Sequence, residues 1–157
     1  MTTTSTAAEL SIELESEAAT QALAARVARL ARAGDVIALR GELGSGKTSF
    51  ARGFIRALGR GDEEVPSPTF TLVEIYDLDP LRIWHFDLYR LVKPEDVYEL
   101  GFEDALAGGV ILIEWPERLG GLLPRQRLDL TLSAGSAPGR RHALLRGGPC
   151  WSALGHP

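Results

Sequence analysis

One stretch of eight residues limits what this chain can fold into more than any other feature. It consists of Gly41, Glu42, Leu43, Gly44, Ser45, Gly46, Lys47 and Thr48. The pattern of the phosphate-binding loop, in which a glycine and four free positions precede glycine, lysine and a hydroxyl residue, is met at every fixed position. Glycines let backbone N–H groups turn towards phosphate oxygens, the lysine reaches the terminal phosphates, and the hydroxyl suits Mg²⁺. The stretch therefore predicts a site for a nucleoside triphosphate.

The neighbouring residues supply the strand and the helix that such a loop requires. Residues 36–39 form a short apolar run, typical of a strand that is buried on both faces. After the loop, Phe50, Phe54 and Leu58 fall on one side of a predicted helix. Strand, loop and helix in this order favour an α/β fold.

The middle of the chain predicts an antiparallel hairpin. Residues 69–76 and residues 81–88 are both strand-like, and a turn that contains Pro80 joins them. Further strands are expected near the start and in the second half of the chain, at residues 11–15, 110–113, 128–132 and 142–146. The hairpin is therefore an insertion after the first loop–helix unit.

Length and composition restrict the class of protein. The 157 residues suffice for one hydrophobic core but not for two, so we predict a single domain over residues 1–157, with flexible ends at residues 1–9 and 151–157. The apolar runs are too short to cross a membrane. A lone cysteine, Cys150, and a start without a leader pattern indicate a cytoplasmic protein. The net charge of −4 argues against general nucleic-acid binding by the whole chain.

Two acidic residues stand where a nucleotide site needs carboxylates. Glu114 follows the apolar run 110–113, and the carboxyl ends of parallel strands are where α/β sheets bind ligands. We therefore expect Glu114 either to hold Mg²⁺, directly or through a water molecule, or to position a water molecule. The alternative is an ordinary surface glutamate. Asp87 ends the second hairpin strand on the same face as His85, and it is either a functional acid or a turn cap. His85 by itself indicates a structural histidine.

Two further segments allow more than one interpretation. Ser67-Pro68-Thr69 is either a switch that senses the terminal phosphate or simply the start of a strand. Arg52, Arg56 and Arg60 recur at every fourth position of the helix, as a solvated face or as a surface for a partner or RNA. The sequence contains no asparagine, so the Asn-Lys-x-Asp motif that reads guanine is absent. Adenine is therefore favoured over guanine.

Four segments taken together resemble the TsaE family, formerly called YjeE: residues 41–48, 67–74, 85–91 and 112–118. That family supplies the ATPase of the bacterial machinery that makes N6-threonylcarbamoyladenosine in tRNA. The resemblance implies a P-loop NTPase-like, three-layer fold with a mixed, mostly parallel sheet, and ATP and Mg²⁺ as ligands. It also implies that residues 41–48 hold the triphosphate, that Thr48 and Glu114 bind the metal, and that Lys47, Asp87 and Glu114 serve catalysis.

The resemblance further implies partner proteins homologous to TsaB and TsaD. TsaD transfers the threonylcarbamoyl group, and ATP hydrolysis by TsaE resets the complex between turnovers. Slow hydrolysis is expected because the sequence identifies no stabilising arginine in cis. Two alternatives stay open: a small-molecule kinase of the shikimate or nucleotide kinase type, and a nucleotide-binding scaffold without productive hydrolysis. Whether the arginine-rich C-terminal part makes a weak or indirect contact with tRNA also stays open.

Overall fold

The computed structural model describes residues 8–155, which fold around one seven-stranded sheet. The strands are β1 (Ala8–Leu14), β2 (Val36–Arg40), β3 (Val73–Asp77), β4 (Arg82–Asp87), β5 (Val110–Glu114), β6 (Leu128–Ala134) and β7 (Arg141–Gly147). The α-helices are α1 (Glu17–Leu30), α2 (Lys47–Leu58) and α3 (Phe102–Leu106). Three 3₁₀ segments complete the chain: Pro94–Leu100, Pro116–Leu122 and Pro149–Gly155.

The sheet is mixed and mostly parallel, as predicted. Its strand order is β1-β7-β6-β2-β5-β4-β3, and the four strands β6, β2, β5 and β4 run parallel to one another. Strand β7 is antiparallel to both β6 and β1, and β3 is antiparallel to β4. Because β2, β4 and β5 all end at the same edge, the loop after β2 lies beside the carboxyl ends of β4 and β5.

The inserted hairpin is present, but its first strand is shorter than residues 69–76. Strand β3 begins only at Val73, because the backbone before it turns: Leu72 N–H donates to the Pro68 carbonyl at 2.7 Å, and Leu72 has a φ of 68°. A positive φ at a non-glycine residue is incompatible with an extended strand. The segment that carries Thr69 is therefore a turn at the edge of the sheet.

Helix α1 begins where its capping residue predicts. The Ser16 side chain accepts a hydrogen bond from the Ala19 N–H at 3.1 Å, which satisfies one of the free donors of the first turn. The helix buries Leu23, Ala24 and Val27 and packs against α2. No helix among residues 8–155 is both long enough and apolar enough to span a membrane.

Two hydrophobic clusters occupy opposite faces of the sheet. The helical cluster contains Leu39 and Leu112 of the sheet together with Val27 and Phe54 of α1 and α2. The crossover cluster, formed under the connection from β4 to β5, contains the buried residues Trp84, Phe86, Val97, Phe102, Ile111 and Ile113. Since strand side chains alternate between faces, His85 and Asp87 of β4 share the face of the helical cluster.

The C-terminal residues differ from the expectation of a flexible end. Pro149–Gly155 forms a 3₁₀ segment in which Trp151 and Leu154 are each 3% exposed. Arg26 of α1 donates to the Leu154 carbonyl at 2.7 Å. Burial of a large aromatic side chain outweighs the tendency of chain ends to fray. At the other end, Ala8 and Glu9 belong to β1, whereas residues 1–7, 156 and 157 lie outside the described part of the chain.

Replacing Trp151 with alanine is expected to lower the free energy of unfolding by about 3–5 kcal/mol, the usual cost of deleting a buried tryptophan side chain. The midpoint of urea unfolding measures this change. Ser152→Ala is the matched control, because Ser152 is its exposed neighbour and surface substitutions cost less than about 0.5 kcal/mol. Equal midpoints for the two variants would mean that the C-terminal segment does not pack as described.

Candidate functional site

The loop between β2 and α2 has the backbone geometry that only glycines allow. Gly41, Gly44 and Gly46 have φ angles of 147°, 78° and 106°. A Cβ atom on Gly41 would lie 2.4 Å from Ser45 Oγ and 2.6 Å from the Leu132 carbonyl oxygen, so a larger residue cannot occupy this position without a rearrangement. The loop ends in the first turn of α2, whose leading N–H groups have no intrahelical acceptor. Such a turn favours an anionic group.

Lys47 is the first residue of α2, and its ammonium group faces back into the loop. The side chain is buried, at 5% exposure, and Nζ donates to the carbonyls of Gly41 and Glu42. Nζ also lies 3.7 Å from the ring centroid of Trp115, a cation–π contact. Burial lowers the pKa of Lys47, and nearby carboxylates, first that of Glu114, oppose this shift. The loop thus contains a buried positive charge, the ammonium group of Lys47.

Thr48 and Glu114 meet at the mouth of the loop although 66 positions separate them. Thr48 Oγ1 lies 3.2 Å from Glu114 Oε1 and 3.4 Å from Oε2. Glu114 ends β5 and is only 3% exposed, so it is not the surface glutamate of the alternative interpretation. A second contact joins Glu114 Oε2 to Nε2 of the fully buried His85 at 2.7 Å. A hydroxyl and a carboxylate at this separation fit the oxygen ligands that Mg²⁺ prefers.

Asp87 stands beside Glu114 in the register of β4 and β5. Its carboxylate accepts hydrogen bonds from the Tyr89 N–H at 3.1 Å and from Thr69 Oγ1 at 3.3 Å. Burial raises the pKa of the Asp87 carboxyl, and the negative charge of Glu114 adds to this effect. Asp87 therefore caps the following turn, and the same buried carboxylate lies next to the Glu114 position.

The segment of residues 67–69 is connected directly to Asp87. Ser67 Oγ and Thr69 Oγ1 are 2.7 Å apart, and Thr69 in turn reaches Asp87. The next side chain, Phe70, is 80% exposed, and the Arg90 guanidinium lies 4.5 Å from its ring centroid. An exposed aromatic residue therefore directly follows Thr69, the residue that contacts Asp87.

Two arginines of the helical row, Arg52 and Arg56, contact the segment that precedes residue 67. Arg56 Nε donates to the Glu63 carbonyl at 3.0 Å, and Arg52 donates to the Val65 carbonyl at 3.5 Å. Arg52 also lies 3.9 Å from Glu17 of α1. These two residues are not a free row of charges, because backbone carbonyls of the chain already engage their guanidinium groups.

Two contacts of the site were not anticipated from the sequence. Arg141 of β7 donates to the carbonyls of Gly44 and Ser45, each at 3.1 Å, and so fixes the outer side of the loop. The other is the His85–Glu114 pair, because the sequence by itself indicates a structural histidine at position 85. The Arg141 contacts span 96 and 97 positions of sequence and carry no local signal. The His85 contact does have a local signal, because His85 shares a strand face with Asp87.

Among the described residues, metal binding would rest on Thr48 and Glu114. Within residues 8–155, no three His, Cys, Asp or Glu side chains come together as a ready-made metal cluster. Mg²⁺ usually takes one or two protein oxygens and completes its sphere with water and substrate phosphates. The Thr48–Glu114 pair beside the glycine loop fits this type of site.

The sheet order, the glycine loop at the start of α2 and the carboxylate at the end of β5 together define a P-loop NTPase-like protein. Residues 14–142 match the family model described as "Threonylcarbamoyl adenosine biosynthesis protein TsaE". The chain therefore belongs to the TsaE family.

Individual relatives agree with this assignment. The tRNA threonylcarbamoyladenosine biosynthesis protein TsaE of Rickettsia conorii is 43% identical over 121 residues, which are 77% of this chain and 69% of that protein. The protein of the same name from Bacillus subtilis is 39% identical over 114 residues, 72% of this chain and 70% of the relative. The crystal structure of Bacillus subtilis YdiB superimposes with a TM-score of 0.74 at 27% identity, covering 92% of this chain and 88% of that one.

Proposed function

We propose that this protein binds ATP with Mg²⁺ and hydrolyses it slowly, as the ATPase subunit of the machinery that makes N6-threonylcarbamoyladenosine at position 37 of tRNA. The observation that carries the proposal is the contact of 3.2 Å between Thr48 and Glu114, directly beside a glycine loop at a helix N-terminus. A hydroxyl and a buried carboxylate next to an anion-binding turn match the two halves of a magnesium–phosphate site.

Each residue of the site has a proposed task. The loop residues 41–48 bind the triphosphate through backbone N–H groups, and Lys47 exchanges its loop carbonyls for the terminal phosphates. Thr48 and Glu114 hold the metal ion, which when bound neutralises charge that develops on the phosphates. Asp87 orients the attacking water or supports the metal through a hydrogen bond. Its raised pKa, caused first by burial, makes it a better proton acceptor than an exposed aspartate.

Slow hydrolysis without a partner is consistent with the contacts that the neighbouring arginines already make. Arg141 already donates to two loop carbonyls, and Arg90 lies over the ring of Phe70. An arginine that stabilises the transition state is worth about 10³–10⁵ in rate when it is present. We infer that the isolated protein lacks this contribution.

Exposed apolar residues near Asp87 support the binding of a protein partner at this side of the site. Phe70 is 80% exposed and Val92 is 86% exposed, and they lie on the segments that follow Thr69 and Asp87. If Asp87 orients the attacking water, then Asp87 and its hydrogen-bond partner Thr69 lie next to the phosphate that hydrolysis releases, and a partner bound to these segments would sense the nucleotide. We propose that homologues of TsaB and TsaD bind here in the cytoplasm, and that hydrolysis resets their complex between turnovers.

The test is ATP hydrolysis by the purified protein with and without its own TsaB and TsaD. We expect slow release of phosphate from the protein alone and a clear increase with the partners. Phe70→Ser is expected to reduce the increase, because it removes an exposed contact residue. Ile75→Ser is the matched control, since Ile75 is also an exposed apolar residue but lies on β3.

Two results would contradict the proposal. Hydrolysis by the protein alone at about 1–100 s⁻¹, the range of kinases, would mean that no partner is needed. Release of ADP that depends on a small acceptor, with a phosphorylated product, would favour the kinase alternative.

A further inference from the structure

We propose that His85 is a positioning residue that sets the orientation of the Glu114 carboxylate for the metal ion; the inference rests on the proposed binding of ATP and Mg²⁺. His85 lies in the middle of β4, pairs with Leu112 in the register of β4 and β5, and is 0% exposed. Its Nε2 atom lies 2.7 Å from Glu114 Oε2, and the two side chains come from different strands. The contact therefore joins the two strands that carry the acids of the site.

The hydrogen bonds of the ring indicate which atom donates. Among residues 8–155, His85 Nδ1 has no hydrogen-bond partner although it is buried. An N–H at this position would be a buried donor without an acceptor, which costs more than a bare ring nitrogen of a neutral imidazole. The proton is therefore assigned to Nε2, which donates it to the Glu114 carboxylate.

The contact holds one oxygen of Glu114 against His85, while Thr48 Oγ1 reaches both oxygens, Oε1 at 3.2 Å and Oε2 at 3.4 Å. Oε2 accepts from His85 at 2.7 Å, whereas Oε1 is the oxygen closer to Thr48 Oγ1, at 3.2 Å. With Oε2 held, rotation of the carboxylate is restricted, and Oε1 stays directed to the hydroxyl beside the phosphate-binding loop. Groups that orient a metal ligand in this way typically contribute a factor of about 10–100 to metal affinity.

Two amide substitutions separate positioning from packing. The amide nitrogen of glutamine reaches the place of Nε2, whereas that of asparagine reaches only the place of Nδ1. His85→Gln can therefore keep the bond to Glu114, and His85→Asn cannot. The measurement is the Mg²⁺ concentration at half-saturation, obtained by calorimetric titration of Mg²⁺ into the protein with a substoichiometric amount of a non-hydrolysable ATP analogue.

For His85→Asn we expect the half-saturating Mg²⁺ concentration to rise about 10- to 100-fold, and for His85→Gln to stay within about threefold of the unmodified protein. Binding of the analogue in EDTA should be the same for all three proteins, because His85 does not touch the loop that binds phosphate. Equal Mg²⁺ affinity of the two variants, or an equal loss of analogue binding in EDTA, would overturn the inference.

A second measurement uses the unmodified protein, in case a variant does not fold. With ¹⁵N-labelled histidine, the Nε2 resonance of His85 should shift when Mg²⁺ is added to the analogue-bound protein, and should not shift when the analogue is added in EDTA. An Nε2 resonance that ignores Mg²⁺ would refute the positioning role. Failure of the unmodified protein to bind the analogue or Mg²⁺ at all would instead refute the proposed function.

Discussion

Replacing Lys47 with alanine is expected to reduce ATP hydrolysis by about 10²–10³-fold and to weaken nucleotide binding by about 10- to 150-fold. The first figure is the usual cost of removing one group that stabilises charge in a transition state. The second corresponds to a charged hydrogen bond worth about 1.5–3 kcal/mol. Phosphate release and titration with a fluorescent ATP analogue measure the two effects.

The fold itself should tolerate the Lys47 substitution. Lys47 is 5% exposed and burial lowers its pKa, so relief from burying the ammonium group offsets the loss of its hydrogen bonds to the Gly41 and Glu42 carbonyls. The thermal midpoint of the protein without nucleotide is therefore expected not to fall. Lys93→Ala is the matched control, because Lys93 is the only other lysine and is exposed. If Lys47→Ala bound nucleotide as tightly as Lys93→Ala, the loop would not be the binding site.

Replacing Glu114 with glutamine is expected to reduce hydrolysis by about 10²–10³-fold while nucleotide binding in EDTA remains unchanged. Glutamine keeps the shape of the side chain and can still accept from His85, but it lacks the negative charge that attracts the metal ion. We therefore expect the affinity for Mg²⁺ to fall. Titration of Mg²⁺ into the complex with an ATP analogue measures this affinity.

Asp87→Asn provides the comparison that separates the two acids. Asparagine can still accept from the Tyr89 N–H, so the turn after β4 should persist. If Asp87 orients water, this variant loses hydrolysis but keeps the Mg²⁺ affinity that Glu114→Gln loses. Full hydrolysis by Glu114→Gln would contradict the proposed metal site, whatever the result for Asp87.

The parts of the fold that depend on neighbouring residues could be predicted from the sequence. Ser16 caps α1, and the glycine loop joins β2 to α2, because both features are set by a few consecutive residues. The sheet order could not be derived in this way. Pairing of β1 with β7 brings Ala8 opposite Gly147, and no local pattern specifies which of several apolar runs become neighbours over such a distance.

In the candidate site, too, some features could be predicted from the sequence and others could not. The positions of Glu114 and Asp87 follow from general rules on strand ends and alternation of side chains, and the structure brings them together. The contacts of Arg141 depend on strand pairing and have no local signal in the sequence. The contact of His85 also depends on strand pairing, although the strand face that it shares with Asp87 indicates the side on which it lies. The ordered C-terminal segment was missed because a single tryptophan gives no periodic signal, yet its burial decides the structure there.

The two hydrophobic clusters on opposite faces offer a way to change heat resistance without changing chemistry. Along β4, Trp84 and Phe86 point into the crossover cluster, while His85 and Asp87 point to the other side. Trp115 packs against this cluster and also contacts Lys47, so it has to be kept. Repacking the other residues of the crossover cluster with better-fitting apolar side chains leaves the groups around Glu114 in their surroundings. In the crossover cluster, laboratory evolution can therefore accumulate stabilising substitutions with little effect on the rate of ATP hydrolysis.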